Sequence, residues 1–307
     1  MGGDYAPDAV IEGAVDAIGL ISPDDRLALI GDNSRILQKL ASMNVEPSLF
    51  DIIPTTQVIE MSDHPAKAFS QKRDSSIAVG FGMLKSGLID GFASAGNTGA
   101  MLVGATYTVN VIPGVLRPAL AAFIPDVNGR SSVILDVGIN PDCKPDVLLQ
   151  YGILGSVYAK HVLGVENPSV GLLNIGKEES KGSSTVKAAF KLLHESPKVN
   201  FRGNMEGHDL FTGEMTDVIV CDGFVGNIVL KMAEKIYLIA KAKSINDNFF
   251  DRLNFEVVGG SPVVGINANV IVGHGISNRK AIASMILQTR DVVRADLAGK
   301  IKEAVGV

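Results

Sequence analysis

The chain reads as an α/β protein built around a mostly parallel sheet, and three observations carry that reading. Short β-branched or apolar runs alternate with stretches of helical period along the whole sequence. Five of those runs stop at a glycine-bearing polar loop that opens a helix. A content of 46% hydrophobic residues in 307 supplies a large core. Alternation of strand and helix implies right-handed crossovers between parallel neighbours. In such sheets the strand-to-helix loops lie at the carboxyl edge, where ligands bind. Asn97, Asn140, Lys181, Asp222 and His274 are therefore expected along one edge. The competing reading is five ordinary connections, because Gly, Asn and Asp are also common turn formers.

Each element follows from local pattern. Gly2 and Gly3 make a turn, Pro7 opens a helix, and Val10, Ala14 and Ile18 keep helical spacing. A turn and helix of this kind follow a strand, so a first strand is expected ahead of Gly2, in a longer natural chain. Arg26–Gly31 predicts a strand, Ser34–Ser42 a helix and Ser48–Pro54 a further strand. Pro65–Arg73 and Ser76–Ser86 predict two helices, the first with Lys67, Lys72 and Arg73 on a solvated face. Gly91–Ser94 ends a short buried strand, and Met101–Val111 continues as an apolar helix. Arg117–Phe123 and Ser132–Val137 read as extended. Pro145–Val162 reads as a long helix whose Gly152 and Gly155 imply close packing against a neighbour. Strands are expected at Ser169–Ile175, Asn200–Gly203, Asp217–Cys221 and Asn269–Val272, with helices at Thr185–His194, from Ile228, and at Arg279–Val293.

Composition excludes several classes. A formal charge of -5 lacks the basic footprint of a nucleic-acid binder. Cys143 and Cys221 give neither a disulfide framework nor metal-ligand spacing, which fits a reducing compartment. No apolar run is long enough to span a bilayer, and no signal-peptide pattern follows Met1. The dinucleotide, P-loop, zincin and nucleophile-elbow templates are absent.

Four loops carry residues suited to a binding site. In Asp90–Ala100, Gly96 permits a sharp turn, Asn97 or Thr98 can cap the next helix, and Gly99 leaves room for a ligand at its first turn. In GKEESKG, Lys177 and Lys181 supply point charges, Gly176 and Gly182 free the backbone, and Ser183 or Ser184 can cap. The alternative for this loop is a charged surface turn. DGFVGN places Asp222 beside Gly223 and Gly226 at another helix start, and GHGISN presents His274 and Gly275. Cys221 is open to two readings, a nucleophile at a strand end or a small buried hydrophobe.

Taken in order, MGGDYAP, SAGNTGA, RPALA, LDVGIN with CKP, QYGILGS, GLLNIGKEESKG, CDGFVGN, VGGSPVVG and GHGISN resemble the bacterial phosphate acyltransferases of fatty acid and phospholipid synthesis. The resemblance covers nearly the whole chain. It implies transfer of a fatty acyl group from the acyl carrier protein thioester to inorganic phosphate, giving acyl phosphate for phosphatidic acid. It also implies a three-layer α/β/α sandwich similar to phosphotransacetylase and the isopropylmalate dehydrogenases, here one domain over residues 1–307 lacking its first strand. A cytoplasmic homodimer is implied, with peripheral contact at the inner membrane face, no cofactor, no metal and no nucleic acid partner. By motif, the family's anion loop matches Ala95–Gly99, its lysine-glycine loop Lys181 and Gly182, its DGFxGN Asp222–Asn227, and its HG pair His274 and Gly275. The chain departs from the family pattern at Ser183, where asparagine is commoner, and over 231–258, a shortened helical protrusion.

The resemblance assigns Asn97, Thr98, Gly99 and Lys181 to phosphate, with Gly96, Asn140, Lys177, Gly182, Gly223, Gly226 and Gly275 lining the site. Asn227 is assigned to the developing oxyanion, and Asp222 and His274 to orienting phosphate or relaying its proton. The lysines of Lys231–Phe255 with Ile236, Leu238 and Phe249 suit either membrane docking or dimer packing. Two alternatives differ in what they predict. A short-chain phosphotransacetylase-like enzyme would use another thioester, and a non-catalytic carrier or membrane binding module would bind without phosphate-dependent thioester loss.

Overall fold

The computed structural model describes residues 1–306, the side chain of Phe255 excepted. The first stretch runs α1 Asp8–Ile18, β1 Leu27–Gly31, α2 Asn33–Ser42, β2 Phe50–Pro54, α3 Pro65–Gln71, α4 Ser76–Lys85, β3 Gly91–Ser94 and α5 Thr98–Tyr107. Then come β4 Ala119–Pro125, β5 Ser131–Leu135, α6 Pro145–His161, β6 Ser169–Asn174, α7 Ser184–Glu195, β7 Asn200–Glu206, β8 Val218–Val220 and α8 Gly223–Ala242. The last are α9 Asn248–Arg252, α10 Phe255–Val258, β9 Gly260–Val264, β10 Asn269–Gly273, α11 Arg279–Arg294 and α12 Leu297–Val305. No helix among the described residues is long and apolar enough to cross a membrane.

Contacts divide the chain into two compact units: 1–110 with 255–261 and 266–294, and 111–254 with 262–265 and 295–307. In the first unit β1 pairs with β2 and β3 with β10, both in parallel. Helix α11 covers β10 and β3, and α1 crosses α11 at Gly13, where a β-carbon would stand 2.6 Å from the Arg279 carbonyl oxygen. Ile11, Ala14, Leu29, Ile36, Leu40 and Phe50 form one apolar cluster there. A groove of about 470 Å³ lies beside Met1, lined by Leu29 of β1, Ala93 of β3 and Ile286 of α11 among others.

The second unit is organised on strands in the order β9, β4, β5, β8, β6, β7. β4 runs antiparallel to both its neighbours, whereas β5, β8, β6 and β7 are mutually parallel. Helix α6 lies on β5 and β8, and Gly155 makes the approach possible: a β-carbon there would stand 2.6 Å from Leu135. The close packing expected from the two glycines is thus real.

The structure departs from expectation in three places. Helix α8 begins at Gly223 rather than near Ile228, because Asp222 accepts the Val225 N–H and caps it (2.8 Å). Two elements, β9 and α12, were not anticipated. β9 is a five-residue run with a proline, set between Gly259 and Gly265, and locally it has the composition of a loop. Finally, Lys72 is not simply solvated, since its ammonium meets Asp63 at 2.6 Å and the Val58 carbonyl at 2.8 Å.

Candidate functional site

Parallel pairing places loops by unit. In the first unit β3 and β10 are neighbours with one direction, so the loops that follow them, with Asn97 and His274, share the carboxyl edge. The N-terminal turn joins them: Asp4 donates its N–H to the Gly275 carbonyl (2.8 Å), and Gly2 lies against Gly96 so closely that a β-carbon on Gly2 would be 2.9 Å from the Gly96 Cα. Asn97 is buried at the start of α5. Its Oδ1 accepts the Ala100 N–H (3.0 Å), while its amide donates to the carbonyls of Glu60 (3.0 Å), Met61 (3.3 Å) and Asp63 (3.1 Å). This side chain is a cap and a clamp on 60–63, so an anion at this helix start would meet the backbone of Thr98 and Gly99 instead. Thr98 is exposed, Gly99 and His274 half-buried, and the His274 carbonyl accepts the Ser277 N–H at 2.9 Å.

In the second unit the loops after β5, β8 and β6 share an edge in that spatial order, which brings together Asn140, Asp222 and Lys181. The loop after β5 is sealed. Asn140 is buried and its amide donates to the Pro118 carbonyl (2.7 Å), to Asp136 (3.1 Å) and to the Tyr151 hydroxyl (2.8 Å). As with Asn97, the side chain expected to line the site is spent on scaffold. The loop seats α8: Gly223 donates to the Asn140 carbonyl (2.8 Å), and the Asn227 amide to the Val137 carbonyl (3.2 Å). A β-carbon on Gly226 would overlap the Asp136 carbonyl oxygen, so only glycine admits this contact. Asn227 is otherwise exposed, and an amide nitrogen carries two donors, so one remains to face a substrate.

The loop after β6 is open. Asn174 closes its base, donating to the Lys181 carbonyl (3.3 Å) and accepting the Ile175 N–H (2.8 Å). Gly182 holds φ +86°, and Gly176 leaves space for the Lys181 stem, 2.8 Å from where a β-carbon would stand. Ser183 caps α7 by accepting the Val186 N–H (3.3 Å). Of the two lysines, Lys177 is engaged: its ammonium lies 3.1 Å from Asp209, and that hydrogen bond raises its pKa. Lys181 is exposed and has no ion pair among the described residues. The α7 start is the better anion site. At the α8 start the Asp222 cap and the buried Asp136 already offset a macrodipole worth about half a charge.

The cysteines are not nucleophiles in this setting. Burial pushes the Cys143 thiol up to about 11 and Cys221 well above the usual thiol range. Among the described residues no cluster of His, Cys, Asp or Glu is arranged to hold a metal. Sequence reading overlooked Asp136, Tyr151 and Asn174. The available signals were a carboxylate closing the apolar run SVILD, a tyrosine within an apolar helix, and an asparagine ending GLLN.

A profile of the family described as "Fatty acid synthesis protein" matches residues 1–300. A phosphate acyltransferase of Halothermothrix orenii is 39% identical over 325 residues, spanning 99% of this chain and 96% of that protein. Those of Syntrophomonas wolfei and Salinibacter ruber are 41% and 40% identical, covering 92% and 99% of this chain and 89% and 95% of their own. Among solved structures, a phosphotransacetylase from Streptococcus pyogenes superposes with a TM-score of 0.66 at 17% identity, over 92% of this chain and 91% of that one. EutD phosphotransacetylase from Staphylococcus aureus gives 0.64 at 16%, over 94% and 92%. At these identities the structural likeness speaks for the fold alone.

Proposed function

Because the chain belongs to the fatty acid synthesis protein family, we propose that it moves a fatty acyl group from the acyl carrier protein thioester to inorganic phosphate, releasing acyl phosphate for phosphatidic acid and phospholipid synthesis. The observation that carries this is near-full-length similarity to proteins named phosphate acyltransferase. The chemistry needs no protein nucleophile. The dianionic form of inorganic phosphate, present in substantial share at neutral pH, attacks the thioester carbon itself. The C–O bond forms, the tetrahedral centre collapses, and the C–S bond breaks to expel a thiolate, a fair leaving group since an ordinary cysteine thiol has a pKa of about 8.5.

The protein supplies position and charge. Lys181, beside the α7 start and Gly182, is the cation for phosphate, with Lys177 held back by Asp209. The α5 first turn at Thr98 and Gly99 offers N–H groups to an anion. The free donor of Asn227 faces the developing oxyanion, a contact worth about 100–1000-fold in rate. Asp222, at the same sheet edge as Lys181, orients phosphate or relays its proton. Incubation with acyl carrier protein thioester and phosphate tests the whole reading: acyl phosphate and free carrier thiol are expected. Carrier binding without phosphate-dependent thioester loss would favour the non-catalytic alternative, and activity confined to short-chain thioesters the phosphotransacetylase-like one.

Helix α8 also presents Phe224, Ile228 and Met232 on one exposed stripe, at 60%, 44% and 61% exposure. Two of its lysines are neutralised, Lys231 by Glu234 (2.8 Å) and Lys241 by Asp251 (3.0 Å). This combination supports packing against a second copy over attraction to an anionic lipid surface, so homodimerisation is the primary assignment of the stripe and transient membrane contact the secondary one. Light scattering of Met232→Lys is expected to report monomer, and co-sedimentation with anionic vesicles tests the membrane contact.

A further inference from the structure

Asp136 is fully buried directly after β5, and no step of the acyl transfer uses it. Its Oδ1 accepts the N–H groups of Leu120 (2.9 Å), Gly138 (3.2 Å) and Ile139 (3.3 Å), and its Oδ2 accepts from the backbone (2.7 Å) and side chain (3.1 Å) of Asn140. Every one of these partners is a donor. A protonated carboxyl would need an acceptor, so the shell fits the ionised form even though burial pushes this acid upward. No cation pairs with it among the described residues. An unpaired buried charge is costly, and one held by five N–H groups of a single neighbourhood is there to gather that neighbourhood.

What it gathers is the seat of α8. The loop 137–140 takes the Gly223 N–H on the Asn140 carbonyl and the Asn227 amide on the Val137 carbonyl. Asp136 itself donates its N–H to Cys221 (3.0 Å), and its Oδ2 would be 2.9 Å from a β-carbon on Gly223. We propose that Asp136 is a positioning residue for acyl transfer: by tying down 137–140 it fixes the start of α8 and the Asn227 amide that meets the oxyanion. This rests on the reaction and the Asn227 role given above. The residue touches no substrate and acts through the loop.

Asp136→Asn keeps the shape but turns an NH₂ toward the Asn140 donors. Its kcat is expected to fall at least ~30-fold and no further than the ~100–1000-fold scale of losing one oxyanion donor outright, with the phosphate KM within about twofold. Hydrogen exchange at Asn140 and Gly223 should lose protection, a readout that needs no activity. The decisive comparison is a cycle with Asn227→Ala. If Asp136 works through Asn227, the double variant loses no more than about threefold beyond Asn227→Ala alone, whereas a purely structural role gives multiplying losses. Unchanged kcat per folded protein, unchanged exchange, or multiplying losses would overturn the proposal. Should Asp136→Asn fail to fold, Asn140→Ala keeps the carboxylate and removes one tether. A kcat lowered about fivefold at unchanged phosphate KM is then expected, and wild-type kcat would refute it. A wild-type protein that makes no acyl phosphate fails the reaction itself; an active wild type with an equally active Asp136→Asn fails the positioning role alone.

Discussion

Two loops flank β8 on the same sheet edge and share one grammar, an apolar strand followed by glycine and polar residues, yet they are used in opposite ways. After β5, residues 136–140 turn inward: the carboxylate of Asp136 and the amide of Asn140 satisfy backbone and each other. After β6, residues 175–183 turn outward and leave Lys181 in solvent over a glycine platform. The contrast separates scaffold from chemistry. A polar side chain buried with all its hydrogen bonds made is building the site, and one held at its stem with a free head is equipped to act in it. The buried Asn97 belongs with the first kind.

Substitutions can break this contrast. The largest effect is expected for Lys181→Ala, a drop of about 100-fold in kcat/KM for phosphate, as for loss of a charge-assisted contact. Lys177→Ala should stay within about threefold because its ammonium is already committed to Asp209. Steady-state kinetics with phosphate varied would check both, and equal losses would erase the distinction between the two lysines. Next is Gly226→Ala, which forces a methyl into the Asp136 carbonyl and is expected to cost about 3 kcal/mol in urea unfolding, at the upper end for overpacking. A neutral result would mean that α8 is free to shift off its seat.

Asn97→Ala removes a cap and leaves three carbonyls without their donor, for an expected loss of about 2 kcal/mol. Asn97→Asp keeps the cap acceptor but turns a carboxylate oxygen toward those carbonyls, so its loss is expected to be at least as large. Smallest of all is the response of the cysteines. With the Cys143 thiol at about 11, its thiolate is scarce at pH 8 and grows only as the pH nears that value. Iodoacetamide should leave the folded protein unlabelled and active at pH 8, as read by mass spectrometry, and rapid single-site labelling with loss of turnover would restore a reactive thiol.

Much of this was legible in the sequence because it is local. Strand–helix alternation, the turn glycines and the lysines of GKEESKG all depend on residues within a few positions of one another, where propensity and periodicity operate. The co-ordered motifs that mark the family are likewise written in the chain. The start of α8 at Gly223 was missed because glycines are poor helix formers. Their place there is explained only by the approach of residues 136–140, some 85 positions away in the chain. β9 escaped for the same reason, being a strand by virtue of its partner β4 rather than of its proline-bearing residues.

By itself, then, the amino-acid sequence determined the fold class, the family and which residue types stand at the strand ends. Only the tertiary structure decided which of those residues are available. Whether an asparagine amide faces a substrate or three carbonyls depends on distant backbone that no local pattern encodes, and a buried polar group accepts whichever partners satisfy it. That is why Asn97 and Asn140 became framework, Lys181 stayed open, and Asp136, unremarked in the sequence, holds the loop on which α8 is seated.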